Sequence, residues 1–328
     1  MKNNILITLS LIGVISGCGI SPIIDSEKKE DTSSLEDTGE IIRETGNAED
    51  TADTAIEIDP DLLTDFFLSG PYEISTQSRS ASVTNCDSMS YTIYSPQGAV
   101  DPPVAVLGHG FARGSGVMTG WAEHLSSWGV EVLLPTLCHY NVWLGVDHEM
   151  NGQNMVELAS LHNANKVVYA GHSAGGLAAV IAASQDNNAA GVLGLDVTDT
   201  EDIPGVPDFI GQEYAGSVTL PAFSIIGEPS SCNMNNNGIE LFRMMKNYQI
   251  IKIVSSDHCD FENPTDAVCE LSCENSTVLF GDSEIKSVIT PLGTAAIMSL
   301  TELSEDGSLL WSIGLDNWTA EGIVQKLD

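Results

Sequence analysis

Residues 166–176 read KVVYAGHSAGG, an apolar run that ends in Gly171-x-Ser173-x-Gly175 and passes directly into the small-residue stretch AGGLAAVIAASQ at 174–185. Strand, tight glycine turn, then helix is the order a nucleophile elbow requires, because glycines on either side let two backbones crowd together and lift the serine Oγ into a cleft. The pentapeptide also arises by chance in a chain rich in Gly and Ser, so its surroundings decide. Working outward, further apolar runs occur as YEIST (72–76), SYTIY (90–94), VAVLG (104–108), VEVLLP (130–135), GVLGLD (191–196), PAFSIIG (221–227) and IIKIVS (250–255). Most are continuous rather than alternating, which marks parallel strands buried on both faces. Helix-patterned stretches separate them: MTGWAEHLSSW (118–128), NMVELASLHN (154–163) and GIELFRMMKNY (238–248). This alternation predicts an α/β protein with a doubly wound, mostly parallel sheet of about eight strands and flanking helices. Ligands of such sheets sit beyond the carboxyl ends of the strands, where Ser173 falls.

The chain of 328 residues, 42% hydrophobic, is long enough to bury a sizeable core. Its 12 Lys+Arg against 46 Asp+Glu, net −34, exclude phosphate backbones and anionic lipid heads as partners and read as a solvated acidic surface. At the start, Lys2 precedes an apolar run from Ile5 to Ile15, too short to span a bilayer and suited to a secretory signal peptide over residues 1–17. Ile15-Ser16-Gly17-Cys18 resembles the lipobox of bacterial lipoproteins, which implies lipidation at Cys18. Gly19, in place of Asp, points to the outer membrane or cell surface rather than inner-membrane retention, with the membrane touched only through that anchor. Residues 18–65 are acidic, nearly free of aromatics and aperiodic, as a disordered, self-repelling spacer would be. Residues 66–328 show neither a second composition break nor a repeat and are expected to form one domain, monomeric. Setting Cys18 aside leaves Cys86, Cys138, Cys232, Cys259, Cys269 and Cys273, an even set that permits three disulfides in an oxidising compartment. No CxxC pair, HExxH, dinucleotide fingerprint or P-loop occurs, so neither metal nor cofactor is expected.

A serine hydroxyl becomes a nucleophile only when a base takes its proton, and the developing oxyanion needs preorganised N–H donors. Upstream of the elbow, VLGHGF (106–111) ends a strand run and turns through His109-Gly110-Phe111. With this turn before GHSAGG, the chain resembles the α/β-hydrolase family, which implies that the oxyanion hole is made by the backbone N–H groups of Phe111 and Ala174. The family's chain order of serine, acid, histidine places the base late, and IIKIVSSDHCDFENPT (250–265) supplies His258. Of the other histidines, His109 and His172 lie inside the two turns and brace them, and His124 and His162 lie on helical stretches. His139 and His148 fall in the loop after VEVLLP, with His139 the reserve base.

The acid must accept the imidazole N–H and fix its tautomer. Asp196 and Glu228 each end a strand run, and Asp199 follows closely. GHSAGG, LDVTD (195–199) and DHCDF (257–261) together resemble the chlorophyllase-like branch, which implies Asp196, with Glu228 the alternative acid. HGF, GWAEHLSSWGVEVLLPT (120–136) and cysteines in the acid and histidine loops also resemble bacterial cutinases and polyester hydrolases, which implies a Cys232–Cys259 bridge. The elbow reads HSAGG and no Trp flanks Ser173, so neither chlorophyll nor polyester is implied as substrate. Residues 196–221 are too few for a substantial helical cap, so a shallow open cleft is expected. The expected function is hydrolysis of a small-molecule or polymeric carboxylic ester through an acyl-enzyme. A peptidase or amidase on the same fold, and a non-catalytic surface-binding lipoprotein, are the alternatives.

Overall fold

Strand residues alternate between two hydrophobic clusters, and this alternation explains the continuous apolar runs. Val104 and Val106 face one side of the sheet while Ala105 and Leu107 face the other; Val167 and Tyr169 oppose Val168 and Ala170 in the same way. Both faces are covered by helices, so the runs 104–108 and 167–172 are buried at every position and almost wholly apolar.

The computed structural model describes residues 64–141, 145–203, 206–273 and 279–327. The expected signal peptide, Cys18 and the acidic spacer up to residue 63 lie outside the described residues. The described residues belong to one unit, Ile56–Asp328. In chain order the strands are β1 (Ile74–Val83), β2 (Cys86–Pro96), β3 (Val104–Gly108), β4 (Glu131–Pro135), β5 (Tyr140–Asn141), β6 (Gly145–Val146), β7 (Val167–His172), β8 (Ala189–Leu195), β9 (Pro221–Ile226), β10 (Asn247–Ile253) and β11 (Val324–Lys326). The helices are α1 (Thr119–Ser127), α2 (His148–Leu161), α3 (Ala174–Gln185), α4 (Ile210–Ala215), α5 (Gly238–Arg243), α6 (Ala267–Ser272), α7 (Asp282–Thr301), α8 (Glu305–Leu309) and α9 (Leu315–Glu321).

Nine strands form one sheet in the order β1-β2-β4-β3-β7-β8-β9-β10-β11, and β5 and β6 form a separate small ladder. Pairing is parallel from β4 through β10 and antiparallel at β1–β2, β2–β4 and β10–β11. The protein is therefore a mixed α/β protein with a mostly parallel sheet, one strand larger than expected. The added member is β11, a three-residue edge in the C-terminal tail that is too short to show a period. α1, α7 and Trp311 pack one face, and α2, α3 and α5 the other. The helix expected over 238–248 ends at Arg243 and Asn247 already begins β10, because the MMKNY segment is apolar enough to suit either state. His148, expected in a loop, opens α2 behind an Asp147 cap whose side chain accepts from Met150 N–H.

The cysteines join as Cys86–Cys138, Cys232–Cys273 and Cys259–Cys269. The expected Cys232–Cys259 bridge is not formed. Asp266 caps α6 by accepting from the Val268 and Cys269 N–H groups, and the helix so started carries Cys269 back onto Cys259, with Cα atoms 5.8 Å apart. Cys232, in the loop after β9, meets Cys273 just beyond α6 at 5.6 Å.

Candidate active site

β7 leads directly into α3, and Ser173 at the junction has φ 55° and ψ −126°. Such a backbone is sparsely populated for a residue with a Cβ and costs on the order of 1–3 kcal/mol. It persists because the packing around it is tight: a Cβ on Gly175 would lie 2.5 Å from the Gly108 carbonyl carbon and the His109 oxygen, and one on Gly171 would strike the Gly175 backbone. Glycine is thus required at both flanks for close approach rather than for φ. Ser173 stands at the N-cap of α3, where serine usually accepts from the first-turn N–H groups, yet its side chain makes no such bond. The Oγ is left for other chemistry. Ser173 N–H donates to the Leu195 carbonyl at 3.0 Å, fixing the elbow to the end of β8.

Asp196 follows β8, one residue past that anchor. Its Oδ2 lies 2.6 Å from His258 Nδ1, with Asp196 1% and His258 6% exposed. The carboxylate is held from behind: Oδ1 accepts from Gly227 N–H at 2.9 Å, and Asn233 Nδ2 donates to Oδ2 at 3.2 Å and to the Glu228 carbonyl at 2.8 Å. Glu228 is occupied elsewhere, pairing with Lys252 at 3.0 Å and accepting from Ser255 N–H at 3.2 Å. Its loop serves Asp196 through backbone groups and Asn233 instead. Asp199 Oδ1 accepts from Thr200 and Gly211 N–H groups, both at 2.8 Å, which makes it a loop-folding carboxylate. Burial raises its pKa.

His258 opens a short 3₁₀ turn, His258–Phe261, capped reciprocally by Asp257 and Asp260. With Nδ1 engaged by Asp196, Nε2 is the ring nitrogen left to take a proton. Ser173 and His258 line the same cavity of about 290 Å³, together with Gly110, Phe111 and Arg113. No hydrogen bond joins Ser173 Oγ to the ring among the described residues; such bonds are often long before substrate binds. His139, the reserve base, lies outside the cavity lining.

His109 and His172 brace the two turns, each by its own bonds. His109 Nε2 accepts from Leu137 N–H at 3.0 Å, so Nδ1 carries the proton and donates to the Gly110 carbonyl at 2.9 Å. Burial pushes the His109 pKa down to about 4, so the ring is neutral. His172 Nε2 donates to the His258 carbonyl at 2.9 Å, and the two rings pack with centroids 4.4 Å apart. Complete burial, then the neighbouring His258, hold the His172 pKa well below the usual imidazole range. Phe111 lines the cavity, and Ala174 begins α3, where first-turn N–H groups have no intrahelical acceptor. Among the described residues neither N–H has another acceptor.

Sequence reasoning did not find Asn233, nor the pair Arg113 and Glu262 beside the cavity. Arg113 had one visible signal: a cation two residues beyond the HGF turn in a chain with only 12 Lys+Arg. The far wall of the cavity is α6 with its flanking disulfides. Cys259, Cys269 and Cys273 present sulfurs within 4.8 Å of one another, a ligand-like spacing, but as disulfides they offer no thiolate to a metal.

No protein-family model matches this chain, and no curated protein matches it.

Proposed function

We propose that the protein is a serine carboxylic ester hydrolase of the α/β-hydrolase fold, exported and tethered by lipid at Cys18. One observation carries the catalytic reading above the others. A buried 2.6 Å bond joins Asp196 to Nδ1 of His258, the histidine that shares a cavity with a serine held in a strained, uncapped turn. A carboxylate there sets the tautomer with the proton on Nδ1, leaving Nε2 basic toward Ser173. Ser173 Oγ attacks the ester carbonyl and His258 Nε2 takes its proton. The Phe111 and Ala174 N–H groups bind the tetrahedral oxyanion. His258 then protonates the leaving alcohol, and water, activated by the same nitrogen, releases the acid from the acyl-serine. Asp196 stabilises the imidazolium at each transfer. Three disulfides in one chain support an oxidising, extracytoplasmic destination.

The test is fluorophosphonate labelling with mass mapping of the modified residue, beside hydrolysis of short-chain nitrophenyl esters and the matching anilides. Labelling at Ser173 with esters turned over faster than anilides is the expected result. Unimpaired hydrolysis by Ser173→Ala would overturn the reading, and faster anilide cleavage would move it to an amidase.

A further inference from the structure

Two pieces of the site, the turn carrying Phe111 and the turn carrying His258, come from segments about 150 residues apart and share no strand. One side chain spans them. Arg113 Nε donates to Glu262 Oε1 at 2.7 Å and Arg113 Nη2 to Glu262 Oε2 at 2.6 Å, a fork on a carboxylate that is itself fully buried. The same Nη2 donates to Asp266 Oδ1 at 2.8 Å. At its base, Arg113 N–H donates to the Gly110 carbonyl at 3.3 Å, closing the oxyanion turn around Phe111. At its far end, Glu262 is the C-cap of the 3₁₀ turn that His258 opens, and its N–H donates to Cys259 O at 3.1 Å. Asp266 is the cap of α6, the cavity wall.

We propose that Arg113 is a positioning residue: its fork on Glu262 sets the separation of the Phe111 N–H from His258, and its bond to Asp266 sets the placement of α6. The inference rests on the serine-hydrolase reading above. A planar, bidentate guanidinium fixes distance and angle together, which a point charge on a flexible stem does not. The oxyanion donor and the base must act on one substrate carbon at the same moment, so a shift of about 1 Å between them costs on the order of 10²-fold in rate. α6 lines the cavity through Val268, Cys269 and Ser272 and offers no reacting group, so its displacement would show in KM.

The experiment measures kcat and KM on a soluble nitrophenyl butyrate, the second-order rate of fluorophosphonate labelling, and Tm, for wild type, Arg113→Lys, Asp266→Asn and the double variant Arg113→Met/Glu262→Met. The double variant replaces a buried ion pair by apolar groups of similar length, an exchange that leaves stability nearly unchanged or improved, so loss of folding does not obscure the result. Arg113→Lys and the double variant should lose about 10²-fold in kcat and in labelling rate, and the double variant, which also loses the bond to Asp266, should change KM several-fold as well. Asp266→Asn should change KM several-fold and leave kcat nearly unchanged. Wild-type kcat and labelling in Arg113→Lys, or a double variant that recovers kcat as it recovers Tm, would overturn the proposal while leaving the hydrolase reading intact. A wild-type protein that fails to label at Ser173 would overturn both.

Discussion

Asp196→Asn separates a catalytic carboxylate from a structural one, and the structure sets how the new amide must turn. Asp196 Oδ1 faces the Gly227 backbone N–H at 2.9 Å, a donor that cannot reorient. Placing the NH₂ there would set donor against donor, so the amide oxygen takes that position and the NH₂ takes the place of Oδ2, 2.6 Å from His258 Nδ1. Asn233 Nδ2, 3.2 Å from that point, must then lean on its other acceptor, the Glu228 carbonyl at 2.8 Å. The ring can meet the NH₂ only by presenting a bare Nδ1, which puts its proton on Nε2 and removes the base that Ser173 needs. The loss of kcat should be on the order of 10⁴-fold, or ~5 kcal/mol of barrier. Stability should change by only about 1–3 kcal/mol, since one charge-assisted bond is exchanged for a neutral one. Glu228→Gln is the control. Glu228 and Lys252 are partly exposed, and their pair should contribute no more than about 1 kcal/mol and leave kcat within a few-fold. Steady-state nitrophenyl ester hydrolysis with a parallel thermal melt reads both variants. If Glu228→Gln were crippled while Asp196→Asn kept its rate, the assignment of the acid would be wrong.

The disulfides should separate by function. Removing Cys86–Cys138, which closes a 52-residue separation and whose cysteines do not line the cavity, should lower stability by about 4 kcal/mol in denaturant titrations and leave kcat within a few-fold. Removing Cys259–Cys269 should cost about 3 kcal/mol and also impair turnover, because that bridge adjoins His258. Acid should destabilise the protein: His109 and His148 are pushed down to about 4 by burial, and His172 lies well below the ordinary range. The unfolded chain therefore binds more protons below pH 6.5, and each of these histidines removes ~1.4 kcal/mol per pH unit down to its folded value. Asp260, raised to about 7 by burial, works in the opposite direction for one proton. Melts at pH 7.5 and 5 should show the lower Tm at pH 5, and an unchanged Tm would contradict the neutral, buried histidines. Gly175→Ala should lose soluble protein altogether, since its methyl would sit 2.5 Å from β3 backbone atoms and cost more than about 3 kcal/mol. A well-folded Gly175→Ala would mean the elbow is looser than described.

What was legible in the sequence was local or ordered along the chain. β7, its glycine turn and α3 announce themselves within twenty residues, and the run of buried parallel strands follows from apolar stretches without alternation. The apolar runs put Asp196, Glu228 and His258 at strand ends, the resemblance to the chlorophyllase-like branch pointed to Asp196 over Glu228, and the structure joins Asp196 to His258 by a hydrogen bond. The rest depended on contacts between distant segments. Asn233 reaches Asp196 across 37 residues and Arg113 reaches Glu262 across 149, and neither distance leaves a mark on local pattern. The cysteines show the same limit: their number implied bridges, but the pairing turned on Asp266 capping a six-residue helix. The β1 edge was only partly visible because its residues are mostly solvent-exposed and polar, so nothing in ISTQSRS demands burial.

The double stapling at the far wall of the cavity has a consequence for how this protein could diversify. Cys259 and Cys273 bound a stretch whose two ends are tied to itself and to the β9 loop, while Ser173 and Asp196 stand on the sheet frame. The segment 265–272 is therefore a cassette: its outward-facing Val268 and Leu271 can be exchanged while the sheet that carries Ser173 keeps its register. Within it Asp266 answers to the rest of the fold through Arg113, and the residues just before it are bound in: Phe261 is buried in the core and accepts from Trp121 Nε1, Glu262 pairs with Arg113, and Asn263 exchanges backbone bonds with Val117 and Gly120. Variation in what the cleft accepts has a place to accumulate that the frame does not feel.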